Sequence, residues 1–295
     1  MVQDLARQRA TELIPADVLA HVPGFASGAT TARAARLYGG TVNESYRVDT
    51  SAGRFVVRIH DPASLMLGAN HEREAQLHAA AAAVGLAPAL IHVDAGDRFM
   101  IMEHICGPTW TSQDFARPAR LCQLGAALHV LHGVVPPIVA PFDIAAVLDR
   151  HYVRLLEASP EESAWFAQLM ERAAAALEAC AAGQRPKTLV HNDLYHSNLI
   201  GVERLYLLDW EYAAVADPLL DLACILAYYP QAEAHAETLL DSARLTSVAS
   251  LGMLRHASWL FVLVSYFWYR SRRLAGPAAT PADLTAEQAL LKRLR

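Results

Sequence analysis

The stretch that decides the fold is 191–211, HNDLYHSNLIGVERLYLLDWE. It places Asp193 two residues after His191 and Asn198 five residues after that aspartate. After the turn at 201–204, the apolar run 205–208 delivers Asp209. One acid to orient a hydroxyl, with an asparagine and a second aspartate to hold magnesium, is what phosphoryl transfer from a nucleotide needs. Asp193 is the candidate base, a carboxylate that accepts a hydrogen bond from an alcohol. Asn198 and Asp209 are hard oxygen ligands suited to Mg2+. A turn simply rich in His, Asp and Asn between two strands is one competing reading, and a zinc site built from His191, Asp193 and His196 is the other. The zinc site lacks i,i+4 helical spacing and a fourth ligand.

Composition narrows the partners. The chain has 295 residues, 54% of them hydrophobic and 19% charged, enough to bury a large interior in one or two domains. Thirty acids stand against 25 bases with no long Lys/Arg run, which argues against nucleic acid. The four cysteines (106, 122, 180 and 224) form no C-x-x-C pair and read as buried thiols in a reducing cytosol. The N-terminal 18 residues lack a signal-peptide core. The most apolar run, 257–269, is bounded by Arg255 and Arg270 and falls short of the roughly 20 residues a bilayer span needs. A soluble, cytoplasmic protein with no membrane partner is the expectation. No feature sets an oligomeric state.

Working outward, the residues before Ala34 read as helical. Strands follow at 34–38, 45–48 and 54–59, separated by Gly39-Gly40 and by a turn at 50–53. Residues 70–84 read as an Ala-rich helix with Asn70 as N-cap, and 89–93 and 98–102 as a further hairpin. Gly107-Pro108 breaks that pattern. Helical periodicity then dominates at 120–132, 165–182, 218–229, 235–245 and 250–271, with a last helix opening at Thr280-Pro281. Sheet first and helices later predict an α+β protein of two lobes, 1–103 binding nucleotide and 104–295 mainly helical, with the hinge near 103–107.

The pattern H-x-D-x-x-x-x-N followed by Asp209-Trp210-Glu211-Tyr212 resembles the choline and thiamine kinase branch of the aminoglycoside phosphotransferase-like kinases. The resemblance runs from about residue 36 to 229. It includes 39–46, which is similar to that branch's phosphate-covering G-G-x-x-N-x-x-Y hairpin and contains Asn43. It implies a bilobal protein-kinase-like fold, ATP and Mg2+ as cofactors, and a small-molecule alcohol as substrate. Arg58 is then the phosphate-binding cation, paired with Glu74, since Glu72 would project to a different helix face. Glu103 and Ile105 would offer hinge backbone groups to adenine. Asp221 resembles the helical aspartate that steadies the catalytic loop, and Asp217 suits an N-cap.

Glu211, Tyr212, Trp259 and Trp268 are the acceptor-site candidates, because aromatic faces and a carboxylate hold a quaternary ammonium or thiazolium well. Core packing is the competing reading of the late aromatic run. One departure concerns the acceptor. After Asp221 the choline kinase branch tends to carry an acidic residue, whereas this chain reads CILAYYPQ. The expected reaction is ATP- and Mg-dependent phosphorylation of a cationic alcohol such as choline or thiamine. An aminoglycoside phosphotransferase and a non-catalytic pseudokinase are the rivals, and the presence of Asp193, Asn198 and Asp209 speaks against the second.

Overall fold

The computed structural model describes residues 8–25, 32–37, 43–61, 70–137, 140–181, 183, 185–275 and 280–295. The Gly39-Gly40 turn lies outside them. The chain divides into two compact units, Met1–Trp110 with Ser197–Tyr212, and Thr111–His196 with Ala213–Arg295. The expected boundary at Glu103 therefore shifts to Trp110, and the segment bearing Asn198 and Asp209 belongs with the N-terminal unit.

That unit opens with β1 (Gln8–Arg9), α1 (Ala10–Leu13) and α2 (Ala16–Leu19), so the start expected to be wholly helical also contributes a short strand. Next come β2 (Arg33–Leu37), β3 (Glu44–Thr50), β4 (Gly53–Ile59), α3 (His71–Ala83), β5 (Leu90–Val93) and β6 (Phe99–Glu103). The six strands form one antiparallel sheet in the order β1-β2-β3-β4-β6-β5. Period-two alternation gives the sheet two distinct faces. Val48, Val57, Phe99 and Ile101 on one face join Ile14 and Leu19 in a closed apolar core. Arg58, between Val57 and Ile59, points to the other face and pairs in register with Met100. Asn70 caps α3 by accepting the Arg73 amide at 2.8 Å, as expected.

In the second unit α4 (Pro118–His132), α5 (Ile144–Ala158), α6 (Ser163–Ala181) and β7 (Thr188–Val190) precede the catalytic stretch. The hairpin of β8 (Leu199–Ile200) and β9 (Tyr206–Leu207) belongs to the first unit. It is tied there by the Trp110 amide to the Leu199 carbonyl (2.9 Å), the Trp110 indole to the Gly201 carbonyl (3.2 Å) and the Leu207 amide to the Leu86 carbonyl (2.7 Å). Gly201, at φ +118°, is required at its turn, since a Cβ there would collide with the Arg204 carbonyl oxygen. These bonds are why the domain boundary moves.

The second unit resumes with β10 (Ala214–Ala216), which pairs antiparallel with β7, then α7 (Leu219–Tyr228), α8 (Ala236–Ser242), α9 (Leu251–Ala275) and α10 (Pro281–Leu294). Residues 219–227 of α7 are all buried, including Asp221. The apolar run expected to be a buried helix lies in α9, which packs against α5, α6, α7 and α10. No described helix is long and apolar enough to cross a membrane. Of the four cysteines only Cys224 is fully buried. Cys106 and Cys122 are exposed, contrary to expectation, because they fall on a loop and on the outer face of α4.

Candidate active site

In the first unit the site is built around one guanidinium. Arg58 Nη1 donates to Glu74 Oε1 at 2.7 Å, and Nη2 donates to Glu211 Oε2 at 2.9 Å. Asp209 Oδ1 lies 3.0 Å from Nη1, an ion pair by distance without an aligned hydrogen bond. Asn43 donates to Glu211 Oε2 (3.1 Å) and accepts from the Asp61 amide (3.1 Å), bracing the end of β3 against that carboxylate. Three carboxyl groups thus face one cation.

Burial disfavours the Arg58 charge, but Asp209, Glu74 and Glu211 outweigh it and hold the guanidinium firmly protonated. Glu74 experiences the opposite balance. Its side chain is 1% exposed, and burial together with the Asp209 charge pushes its pKa up to about 7 despite Arg58. Arg58, shared with two other acids, and Arg73 both pull the Glu74 pKa down without cancelling the rise.

Asn198 and Asp209 stand at one end of the β8–β9 hairpin, where the Leu208 amide donates to the Asn198 carbonyl at 2.8 Å. Asp209 adopts φ +64°, a left-handed conformation that aspartate and asparagine tolerate better than most residues. Among the described residues no group of three or more His, Cys, Asp or Glu is arranged to hold a metal by itself. The donor set still fits magnesium, which takes one or two carboxylates and completes its shell with water and phosphate oxygens. Asp209 Oδ1 is buried without a hydrogen bond, and the cluster carries surplus negative charge.

In the second unit the segment 191–196 is laid along one face of α7. Positions 221, 224 and 228 follow the three- and four-residue spacing of a single helix face. Asp221, fully buried, accepts the amides of His191 (3.0 Å) and Asn192 (2.8 Å) and bonds His132 Nε2 (2.9 Å). Cys224 Sγ accepts the Leu194 amide at 3.4 Å. The Tyr228 hydroxyl donates to Asp193 Oδ1 at 3.1 Å. Tyr229, stacked on Phe115 with centroids 3.7 Å apart, accepts the His196 amide at 2.6 Å. Asn192 takes φ +62°, which asparagine tolerates better than most residues. The bonds to Asp221 hold it there.

The expected residues fall into place unevenly. Arg58 and Glu74 pair as anticipated, while Glu72 is exposed and accepts from Gln76 at 3.4 Å. Asp221 steadies the loop, and Asp217 caps α7 through the Leu219 amide while also pairing with Arg185. Glu103 ends β6, its amide donating to the Ala89 carbonyl, and Ile105 is half-buried beyond it. Glu211, expected at the acceptor, is instead engaged by Arg58 and Asn43, and Tyr212 is 38% exposed.

Trp259 and Trp268 cannot share a cage. Nine residues are two and a half helical turns, which puts them on opposite faces of α9. Trp259 stacks on Arg172 of α6 (4.3 Å), whereas Trp268 shares a face with Phe261, which meets Tyr228 edge-to-face at 5.8 Å. Tyr228 and Tyr229 are functional neighbours that the sequence reading missed. The polar tip of a tyrosine ending an apolar helix was the available signal.

Residues 33–249 match the phosphotransferase enzyme family (APH). The chain belongs to that family. Protein LicA of Haemophilus influenzae is 29% identical over 213 residues, covering 69% of this chain and 60% of LicA, so the match spans less than two thirds of that relative's length. A choline/ethanolamine kinase family protein from Mesorhizobium loti shares the fold with a TM-score of 0.77 at 24% identity, over 94% of this chain and 91% of that one. Choline kinase LicA from Streptococcus pneumoniae superposes with a TM-score of 0.73 at 19% identity, over 88% and 93%. The fold is kinase-like, as expected from the central motif.

Proposed function

We propose that the protein transfers the γ-phosphoryl group of ATP to the hydroxyl of a small cationic alcohol of the choline type. The observation that carries this reading is the contrast between the two aspartates. Asp209 sits in a carboxyl-rich cluster with one shared cation, while Asp193 is held by a neutral phenol on an ordered loop. The first arrangement suits a metal ligand and the second a base.

In this reading Asn198 and Asp209 hold Mg2+, whose charge, when it is bound, offsets that of the nucleotide phosphates. Arg58 contacts the phosphates while Glu74 keeps its guanidinium in place. Glu211, on the same guanidinium, helps to orient it. Asp193 accepts the hydrogen bond of the substrate hydroxyl and aims its oxygen for in-line attack. Its aspartate oxygen takes the proton as the bond to phosphorus forms.

The groups gathered about Asp193 are aromatic. Tyr195 and Phe261 meet Tyr228 edge-to-face, while the Trp268 ring carries the Arg272 guanidinium at 5.2 Å. Such faces favour a single soft cation over a polyamine, which would need several carboxylates. Relatives named as choline kinases agree with this preference, and it sets the aminoglycoside reading second. The test is ADP release from Mg-ATP with choline, ethanolamine, thiamine, homoserine and kanamycin offered in turn. Turnover on choline or thiamine is expected. Turnover confined to kanamycin would keep the phosphotransfer chemistry and discard the cationic-alcohol assignment.

A further inference from the structure

Tyr228 contributes more than packing. Its ring is wedged by Tyr195 (5.6 Å between centroids, interplanar angle 87°), Phe261 (5.8 Å, 86°) and Tyr229 (6.3 Å, 81°), which leaves its hydroxyl little freedom. The helical turn that bears it is fastened as well. The guanidinium of Arg293, in α10, donates to the carbonyls of Leu226 (3.2 Å) and Ala227, the last before Tyr228. The Asp193 amide meanwhile bonds the His191 ring, so the loop backbone and the carboxylate are fixed from separate directions.

We propose that Tyr228 is a positioning residue that anchors one oxygen of Asp193 with a neutral donor, setting the rotamer of the base without placing a cation against it. This rests on the reading of Asp193 as the base. The choice of donor matters chemically. A guanidinium or ammonium at this place would lower the carboxylate pKa by about one to three units and weaken it as a proton acceptor. A phenol orders the group and perturbs it less. Burial and the Asp193 charge raise the Tyr228 pKa well above that of an ordinary tyrosine, so the hydroxyl keeps its proton throughout the working pH range. The other titratable groups gathered here are His191, Tyr195 and His196 from the loop, Cys224 from α7 and Tyr229 just after it, and Tyr269 from α9, with Asp283 and Arg272 beyond Tyr269. None of them is removed by the change proposed next.

Tyr228→Phe keeps the ring and deletes the donor. With choline, or whichever alcohol of the panel turns over, kcat should fall about tenfold or more, the usual scale for a hydrogen bond to a charged group. KM for Mg-ATP should not move. The Asp193 carboxyl, followed by carbon NMR in aspartate-labelled full-length protein, should titrate at a higher pH than in the wild type, because a donor to its charged form is gone. Tyr229→Phe, which loses the bond to His196 instead, should leave that midpoint in place. An unmoved Asp193 midpoint in Tyr228→Phe would overturn the proposal whatever the acceptor is. Full activity in Asp193→Ala would overturn the base assignment on its own, and the NMR midpoint would still judge the contact.

Discussion

Asp193 and Asp209 are the two carboxylates proposed to carry the chemistry, and their surroundings differ in kind. Asp209 is set among charges, with Arg58, Glu74 and Glu211 on one guanidinium and a backbone forced into the left-handed region. Asp193 has a phenol on its carboxylate, a thiol on the next amide, and aromatic rings about that phenol. Excess negative charge creates demand for a divalent cation, whereas neutral surroundings leave a carboxylate available to a proton. The same side chain is suited to two proposed jobs because each unit gives it different company.

The largest effect should come from removing either carboxylate. Asp193→Ala and Asp209→Ala should each lower turnover by about a thousandfold or more, read as ADP release with Mg-ATP and the preferred alcohol. The amide replacements separate the two environments. Asp209→Asn removes one of three acids from a crowded cation, and asparagine tolerates the positive φ, so it should gain about 1 kcal/mol and raise Tm by about 2 °C. Asp193→Asn keeps an acceptor for the Tyr228 hydroxyl and should leave Tm within about 1 °C of wild type. A Tm gain in both variants, or in neither, would break the contrast.

Arg58→Ala tests the charged environment from the cation's side. It leaves Glu74 buried without its 2.7 Å partner and takes the cation from Asp209 and from Glu211, which keeps Asn43. A loss of about 3 kcal/mol is expected in chemical denaturation at pH 8. A loss below about 1 kcal/mol would show that the carboxyl groups find other compensation.

Much of this was legible from spacing. The Asp193–Asn198 interval and the apolar strand before Asp209 identified the chemistry because a short loop and a hairpin leave few arrangements. Arg58 with Glu74 followed from strand alternation against helix phase, and the exposure of Glu72 shows that phase deciding between neighbours. The misreadings have specific causes. Trp259 and Trp268 were grouped by composition, although their nine-residue separation already placed them on opposite helix faces. Glu211, two residues after Asp209, is expected at the acceptor, and its bonds to Arg58 and Asn43 are long-range contacts that spacing does not show. The domain boundary was misplaced because the hairpin 199–207 is tied by backbone bonds to residues 86 and 110, a long-range pairing that no local pattern encodes. Tyr228 was hidden because every residue of α7 before it is buried, so its ring reads as core.

Glu74→Gln gives the finest test, because it asks whether the surplus charge beside Asp209 is felt as a function of pH. Glu74 has its pKa raised to about 7 in the folded protein, against 4.5 as the ordinary reference value. An acid with a raised folded pKa holds its proton longer in the native state than in the unfolded one, so between these values folding takes up protons. Its contribution is therefore neutral below about pH 4.5, becomes progressively unfavourable as pH rises towards 7, and is fully unfavourable above that. His60, buried against the Asp97 carbonyl with its pKa lowered to about 4, acts in the opposite sense across a similar window, so the wild-type curve alone cannot isolate Glu74. The difference between Glu74→Gln and wild type can. Arg58 keeps Asp209 and Glu211 as partners in that variant, and the glutamine can still accept from Nη1. The two proteins should have nearly equal stability at pH 5, and the variant should lead by about 2 kcal/mol at pH 8. A constant difference across that range would mean that Arg58 compensates Glu74 in full, and the cluster beside Asp209 would then carry no surplus for a metal ion to neutralise.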